Sequence, residues 1–195
     1  VKYLNWHTWD QAAPELEAEL PAETYEIVAR AAAAAQRWHG DQQRPTGVPY
    51  LEHLLEALEV MVRGAGVRDP SVLAAVLLHD TVEDTAATIS EIEAEFGPVV
   101  AEYIDWVTLP PARCRAEKRS NKVGYLRRLR EAPPEAISVK LADRVSNVQR
   151  LDQMPPDFQR RYYAETVTYL MPMAEGHDFF EPWYADWSRR FAHLR

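Results

Sequence analysis

The residues best suited to chemistry lie in the run LLHDTVEDT, residues 77–85, where an apolar stretch ends in His79, Asp80, Glu83 and Asp84. Ionised carboxylates at the end of a buried segment need a cation or several hydrogen-bond donors, because a bare buried charge is expensive. Residues four apart on a helix share a face, so the spacing predicts that His79 stacks with Glu83 and Asp80 with Asp84. Groups on one helix end cannot surround an ion, and other elements must supply ligands from other directions. The sequence offers two. His53 sits in PYLEHLLEAL, on the polar side of a helix that is apolar at Leu51, Leu54, Leu55 and Leu58. Asp143 sits in VKLADRVSN, between Leu141 and Val145. A mixed histidine and aspartate set suits a divalent ion of intermediate hardness, manganese first, with iron or zinc as alternatives. Such an ion acidifies water and polarises phosphoryl oxygens, and Glu83 and Asp84 beside it could orient that water or accept its proton. Taken singly, each residue has an ordinary reading: His53 as a core or surface histidine, Asp143 as a salt-bridge partner, His79-Asp80 as a common dipeptide. The joint pattern carries the weight.

These side chains need a scaffold of helices. PAETYEIVARAAAAAQRWHG starts at Pro21 with acidic residues and stops at Gly40, which matches helix polarity. LEHLLEALEVMVRGAG repeats leucine at intervals of three and four. DPSVLAAVLLHDTVEDT opens on Asp69 as a cap with Pro70 at the first turn, and Val72 to Leu78 is apolar on every side, as in a helix at the centre of a bundle. Thr88 with Glu91 reads as a capping box, and Pro98 opens a further helix. Helices are also expected over residues 115–132, 133–154, 155–176 and 178–194. The loop GDQQRPTGVPY is a turn rich in glycine and proline. No alternating strand pattern and no repeat occurs. The expected fold is all-α, one compact multi-helix bundle over residues 1–195, with a motif-bearing core at 25–152 and closing helices at 153–195 packing on it.

Composition narrows the function. A formal charge of −8 argues against a general nucleic-acid binder. No apolar run reaches the length of a membrane span, and residues 1–20 lack the pattern of a signal peptide, so a cytoplasmic location and no membrane partner are expected. The one cysteine, Cys114, allows no internal disulfide. Residues 113–130 carry eight basic side chains against the single acid Glu117, either a solvated face or a local field for an anionic ligand. The aromatic-rich end from Phe179 to Phe191 could cap the core or face a partner, and the core is the expected place. The pattern leaves the oligomeric state open.

The order of motifs resembles the hydrolase domain of the RelA/SpoT family and, by length, its stand-alone small alarmone hydrolases, which are HD-domain phosphohydrolases. AAAAAQRWHGDQQRPTGVPYLEH is similar to the family's opening helix, arginine-bearing loop and first metal histidine. AAVLLHDTVEDT, EFGPVV and VKLADRVSN follow in the family's order. The resemblance implies His53, His79, Asp80 and Asp143 as ligands of manganese, and Glu83 and Asp84 as the acidic pair that handles the attacking water. It implies Arg44 over the nucleobase, with Tyr50 and Asn147 lining the nucleoside pocket. Apart from the resemblance, the basic character of Lys140, Arg144 and the 113–130 segment suits them to offset charge on the leaving group. The implied reaction is hydrolysis of guanosine tetra- or pentaphosphate at the 3′ side, giving GDP or GTP and pyrophosphate. Departures from the family are Leu54 in place of a proline, Pro45 after Arg44, Ser146 in place of a commoner histidine or tyrosine, and the loop TLPPARC. Two other readings remain: a phosphohydrolase releasing phosphate from another nucleotide, and a nucleotide-binding protein without turnover.

Overall fold

The computed structural model describes residues 1–44 and 46–195, without the side chains of Arg115, Lys118 and Arg119. Pro45, and with it the departure noted after Arg44, lies outside the described residues. The described chain is all-α. Its helices are α1 (Trp9–Glu19), α2 (Ala22–His39), α3 (Tyr50–Glu59), α4 (Pro70–Leu78), α5 (Thr81–Asp84), α6 (Ile89–Phe96), α7 (Pro98–Val107), α8 (Arg115–Arg128), α9 (Pro134–Val148), α10 (Pro156–Glu165) and α11 (Phe180–Arg190). Among the described residues the only extended pairing is a single bridge between Gln43 and Pro49. No described helix is long and apolar enough to cross a membrane.

The centre of the bundle is α4. Val72 to Leu78 are all buried, and α4 packs against α2, α3, α7 and α9. Each fully buried leucine or valine contributes about 1.5–3 kcal/mol of transfer free energy, so this helix has no favourable exposed orientation. Its start is set as expected: the Asp69 carboxylate accepts from the backbone N–H groups of Ser71 at 2.8 Å and Val72 at 3.1 Å. The capping box of Thr88 and Glu91 at the start of α6 also forms.

Helix α1 was not expected from the sequence. Thr8 caps it and Leu16 is fully buried, although Pro14 interrupts its interior. A π-helical turn, Val60–Gly64, extends α3. A Cβ at Gly64 would lie 2.5 Å from the Phe179 ring, so only glycine lets the two elements approach this closely.

The closing helices pack on the core. Phe180, Tyr184, Trp187 and Phe191 are buried, whereas Phe179 and Trp183 are half-buried. The Tyr184 hydroxyl donates to the Leu141 carbonyl at 2.7 Å, and the Trp187 indole donates to the Val148 carbonyl at 3.0 Å. These two bonds bracket Asp143 and fix the helix that carries it.

Candidate metal centre

Four side chains from separate elements converge. His53 comes from α3, His79 from the C-terminal cap of α4, Asp80 from the start of α5, and Asp143 from the middle of α9. One ligand atom from each lies within 4.8 Å of all the others. His53 Nε2 is 3.3 Å from His79 Nε2, 3.4 Å from Asp80 Oδ2 and 3.2 Å from Asp143 Oδ1. His79 Nε2 is 3.0 Å from Asp80 Oδ2 and 3.5 Å from Asp143 Oδ1. His53, His79 and Asp143 are buried, and Asp80 forms the more open side.

The local backbone explains how adjacent residues can aim at one point. A continuous helix through residues 69–85 would turn His79 and Asp80 about 100° apart. Instead α4 ends at Leu78 and Asp80 adopts φ −97°, ψ −2° before α5 begins. The expected single helix is therefore two. The Asp80–Asp84 step survives, with the Asp84 N–H donating to the Asp80 carbonyl at 2.9 Å.

The outer nitrogens decide what the inner atoms are. His79 Nδ1 lies 2.7 Å from the Val76 carbonyl, which can only accept, so Nδ1 carries the proton. His53 Nδ1 lies 2.8 Å from Ser146 Oγ, whose own proton goes to the Glu56 carboxylate at 2.5 Å, so this Nδ1 donates as well. In the neutral imidazoles both Nε2 atoms then present lone pairs. Two Nε2 lone pairs and two carboxylate oxygens then face one another, the oxygens accepting only from Tyr50 and Asn147 at the rim, an arrangement suited to a cation. The electrostatics agree. Burial disfavours the charged form of His79, but Asp80 and Asp143 outweigh it and hold the imidazole well above its ordinary pKa. Burial likewise raises Asp143, but Lys140 and the two imidazoles hold its carboxyl well below the usual range. Two carboxylates with two neutral imidazoles match the charge of a divalent ion.

The remaining expected residues are distributed around this centre. Lys140 Nζ pairs with the outer oxygen of Asp143 at 2.8 Å. Asn147 Nδ2 donates to Asp143 Oδ1 at 2.6 Å, and its carbonyl accepts from Arg44 at 3.4 Å. Arg44 also approaches Glu56 at 3.5 Å. The Tyr50 hydroxyl donates to Asp80 Oδ2 at 2.5 Å, and its ring stacks on His39 at 4.7 Å. Glu83 is exposed, yet the protein mass around its carboxyl raises it above the usual carboxylate range, Lys140 opposing and Asp80 adding to the rise. Its Oε2 accepts from the Leu109 N–H at 3.2 Å. Asp84 is exposed beside it. Arg144 is turned elsewhere: its guanidinium is buried, pairs with Glu165 and lies 4.8 Å from the Tyr162 ring. In the basic segment, Arg113, Arg127, Arg128 and Arg130 are exposed, while Lys122 pairs with Glu165 at 2.8 Å. Cys114 is exposed and free.

Sequence reasoning missed Glu56, Gln149, Arg150 and His39, and treated Ser146 only as a departure. The polar side of α3 is not a solvent face: Glu52, Glu56 and Glu59 are all buried, as is His53. Three glutamates at helical spacing on a helix that also carries a leucine stripe were the available signal.

A profile of the HD domain matches residues 31–177. The human guanosine-3′,5′-bis(diphosphate) 3′-pyrophosphohydrolase MESH1 is 37% identical over 132 residues, which cover 65% of this chain and 70% of that protein. A GTP pyrophosphokinase of Streptomyces coelicolor is 32% identical over 157 residues, covering 80% of this chain and 18% of that protein. The chain thus spans about a fifth of the length of the GTP pyrophosphokinases it matches. A solved structure of a metazoan SpoT orthologue superposes with a TM-score of 0.75 at 24% identity, covering 84% of this chain and 94% of that one, and shows the shared fold. The chain belongs to the HD-domain family. Its relatives set it beside the RelA/SpoT-type hydrolases that the motif order resembles.

Proposed function

We propose that this chain hydrolyses the 3′-pyrophosphate of guanosine tetra- or pentaphosphate, with manganese as its metal. The observation that carries the reading is the convergence of His53, His79, Asp80 and Asp143 with their lone pairs inward, in a chain 37% identical to a human 3′-pyrophosphohydrolase. The four side chains would hold the ion, whose part is to acidify water and withdraw charge from a phosphoryl oxygen. Glu83, raised above the usual carboxylate range and reachable from solvent, is the proton acceptor for the attacking water. Asp84 assists at its side. Lys140 and Asn147 keep the Asp143 carboxylate oriented, and Tyr50 does the same for Asp80. Arg44 is tethered on the α3–α9 side of the centre and is the group offered to the nucleobase. We take residues 1–195 as one domain, since a single buried core runs from Tyr3 to Phe191.

One observation favours a second reading, a phosphohydrolase acting on another nucleotide. Arg144, a candidate for balancing substrate charge, is already engaged by Glu165. The product separates the two. Incubation with guanosine tetraphosphate and manganese is expected to give GDP and pyrophosphate in equal amounts. Orthophosphate release from a different nucleotide, with guanosine tetraphosphate untouched, would support the second reading.

A further inference from the structure

Glu56 is fully buried between Leu55 and Ala57 on α3. A buried carboxylate costs several kcal/mol of desolvation, and apolar residues in its place often leave a fold as stable or more so. Here it is held by an ion pair with Arg150, by Arg44 at 3.5 Å and by Gln149 at 3.5 Å. Its Oε2 accepts the Ser146 hydroxyl proton at 2.5 Å, and Ser146 Oγ accepts from His53 Nδ1 at 2.8 Å. Every member from carboxylate to imidazole is at most 2% exposed, so the relay is shielded from bulk solvent.

We propose that Glu56 and Ser146 are positioning residues for the metal centre: through the Ser146 hydroxyl, Glu56 locks the His53 proton on Nδ1 and aims its Nε2 lone pair at the ion. The inference rests on the metal reading above and adds to it the device that prepares one ligand. A serine alone could either donate to or accept from Nδ1. A serine whose proton is committed to a carboxylate can only accept, so the imidazole must donate there. His79 reaches the same state through the Val76 carbonyl, which needs no partner. The same Glu56 oxygen faces Arg44, so one carboxylate anchors both the ligand and the arginine of the 40–49 loop.

The test uses the full chain and manganese alone, read by calorimetric titration with thermal melts of the metal-free proteins as the control. Ser146→Ala is expected to weaken manganese binding about 10- to 100-fold. Ser146→Thr, which keeps the hydroxyl, is expected to restore binding close to wild type, and Glu56→Gln to weaken it at least as much as the alanine variant. A purely structural role would move the melting temperature without this pattern of loss and rescue. Histidine 15N spectra of the zinc-loaded wild type, which need no variant, are expected to show the His53 proton on Nδ1. Wild-type affinity in Ser146→Ala overturns the relay alone, whereas a His53 proton on Nε2 in the zinc-loaded protein removes His53 from the ligand set and the relay with it. A wild type that binds no metal overturns the metal reading, and the relay with it.

Discussion

Replacing Glu83 with glutamine separates proton transfer from metal binding. The change keeps size and an acceptor oxygen, so the contact from the Leu109 N–H at 3.2 Å can persist. Glu83 is not among the four converging ligands, so manganese affinity should stay at the wild-type value. What disappears is a base, and losing a positioned general base costs about 10²–10⁴-fold in rate. At 1.36 kcal/mol per tenfold, that is about 2.7–5.4 kcal/mol of barrier. The carboxyl is raised above the usual range by the protein around it, with Asp80 adding and Lys140 opposing. The working form is the carboxylate, so the wild-type rate should fall as pH drops through this raised value, earlier than an ordinary glutamate would allow. A raised folded pKa also means that ionising Glu83 works against folding as pH rises through it. Glu83→Gln should therefore melt no lower than wild type at pH 7. The assay is pyrophosphate release across pH 4–9, with a manganese titration and a melt on the same preparations. A variant with near-wild-type turnover, or one that loses manganese, would refute the role assigned to Glu83.

Other outcomes follow from the same geometry. Asp80→Asn should lose manganese and activity together; retention of stoichiometric manganese would remove Asp80 from the ligand set. Glu165 is lowered: burial raises it, but Arg144 and Lys122 outweigh that. Its stabilising effect is then present above the unfolded carboxylate pKa and is lost as pH falls through the folded one. Glu165→Gln, which leaves Arg144 buried without its charge partner, should cost about 3 kcal/mol at pH 7 and far less near pH 3; equal melting differences at both pH values would contradict this. Gly64→Ala pushes a methyl into the Phe179 ring and should cost about 1–3 kcal/mol, lowering Tm by about 2–4 °C per kcal/mol. An unchanged Tm would show that the ring yields freely.

The legibility of the site followed the range of the interactions involved. His79 and Asp80 were readable because they break an apolar run, and the run itself marks the central helix. His53 and Asp143 were readable because ligands for one ion had to come from elsewhere, and the motif order resembles a known family. The backbone break at Asp80 was not, since no glycine or proline announces it. The partners of these four side chains were harder still. Glu56 meets Ser146 across 90 residues of chain, and Arg144 meets Glu165 across the α9–α10 connection, pairings that only tertiary packing decides. Helix α1 escaped notice because Pro14 sits inside it, and its formation depends on burying Ala12 and Leu16 rather than on propensity.

The central claim is that two imidazoles and two aspartates share one divalent cation. Anomalous diffraction at the manganese edge, from crystals grown with excess manganese, tests it most directly. A single strong peak in contact with His53, His79, Asp80 and Asp143 is the expected result. Those four side chains well ordered with no anomalous density among them would contradict it.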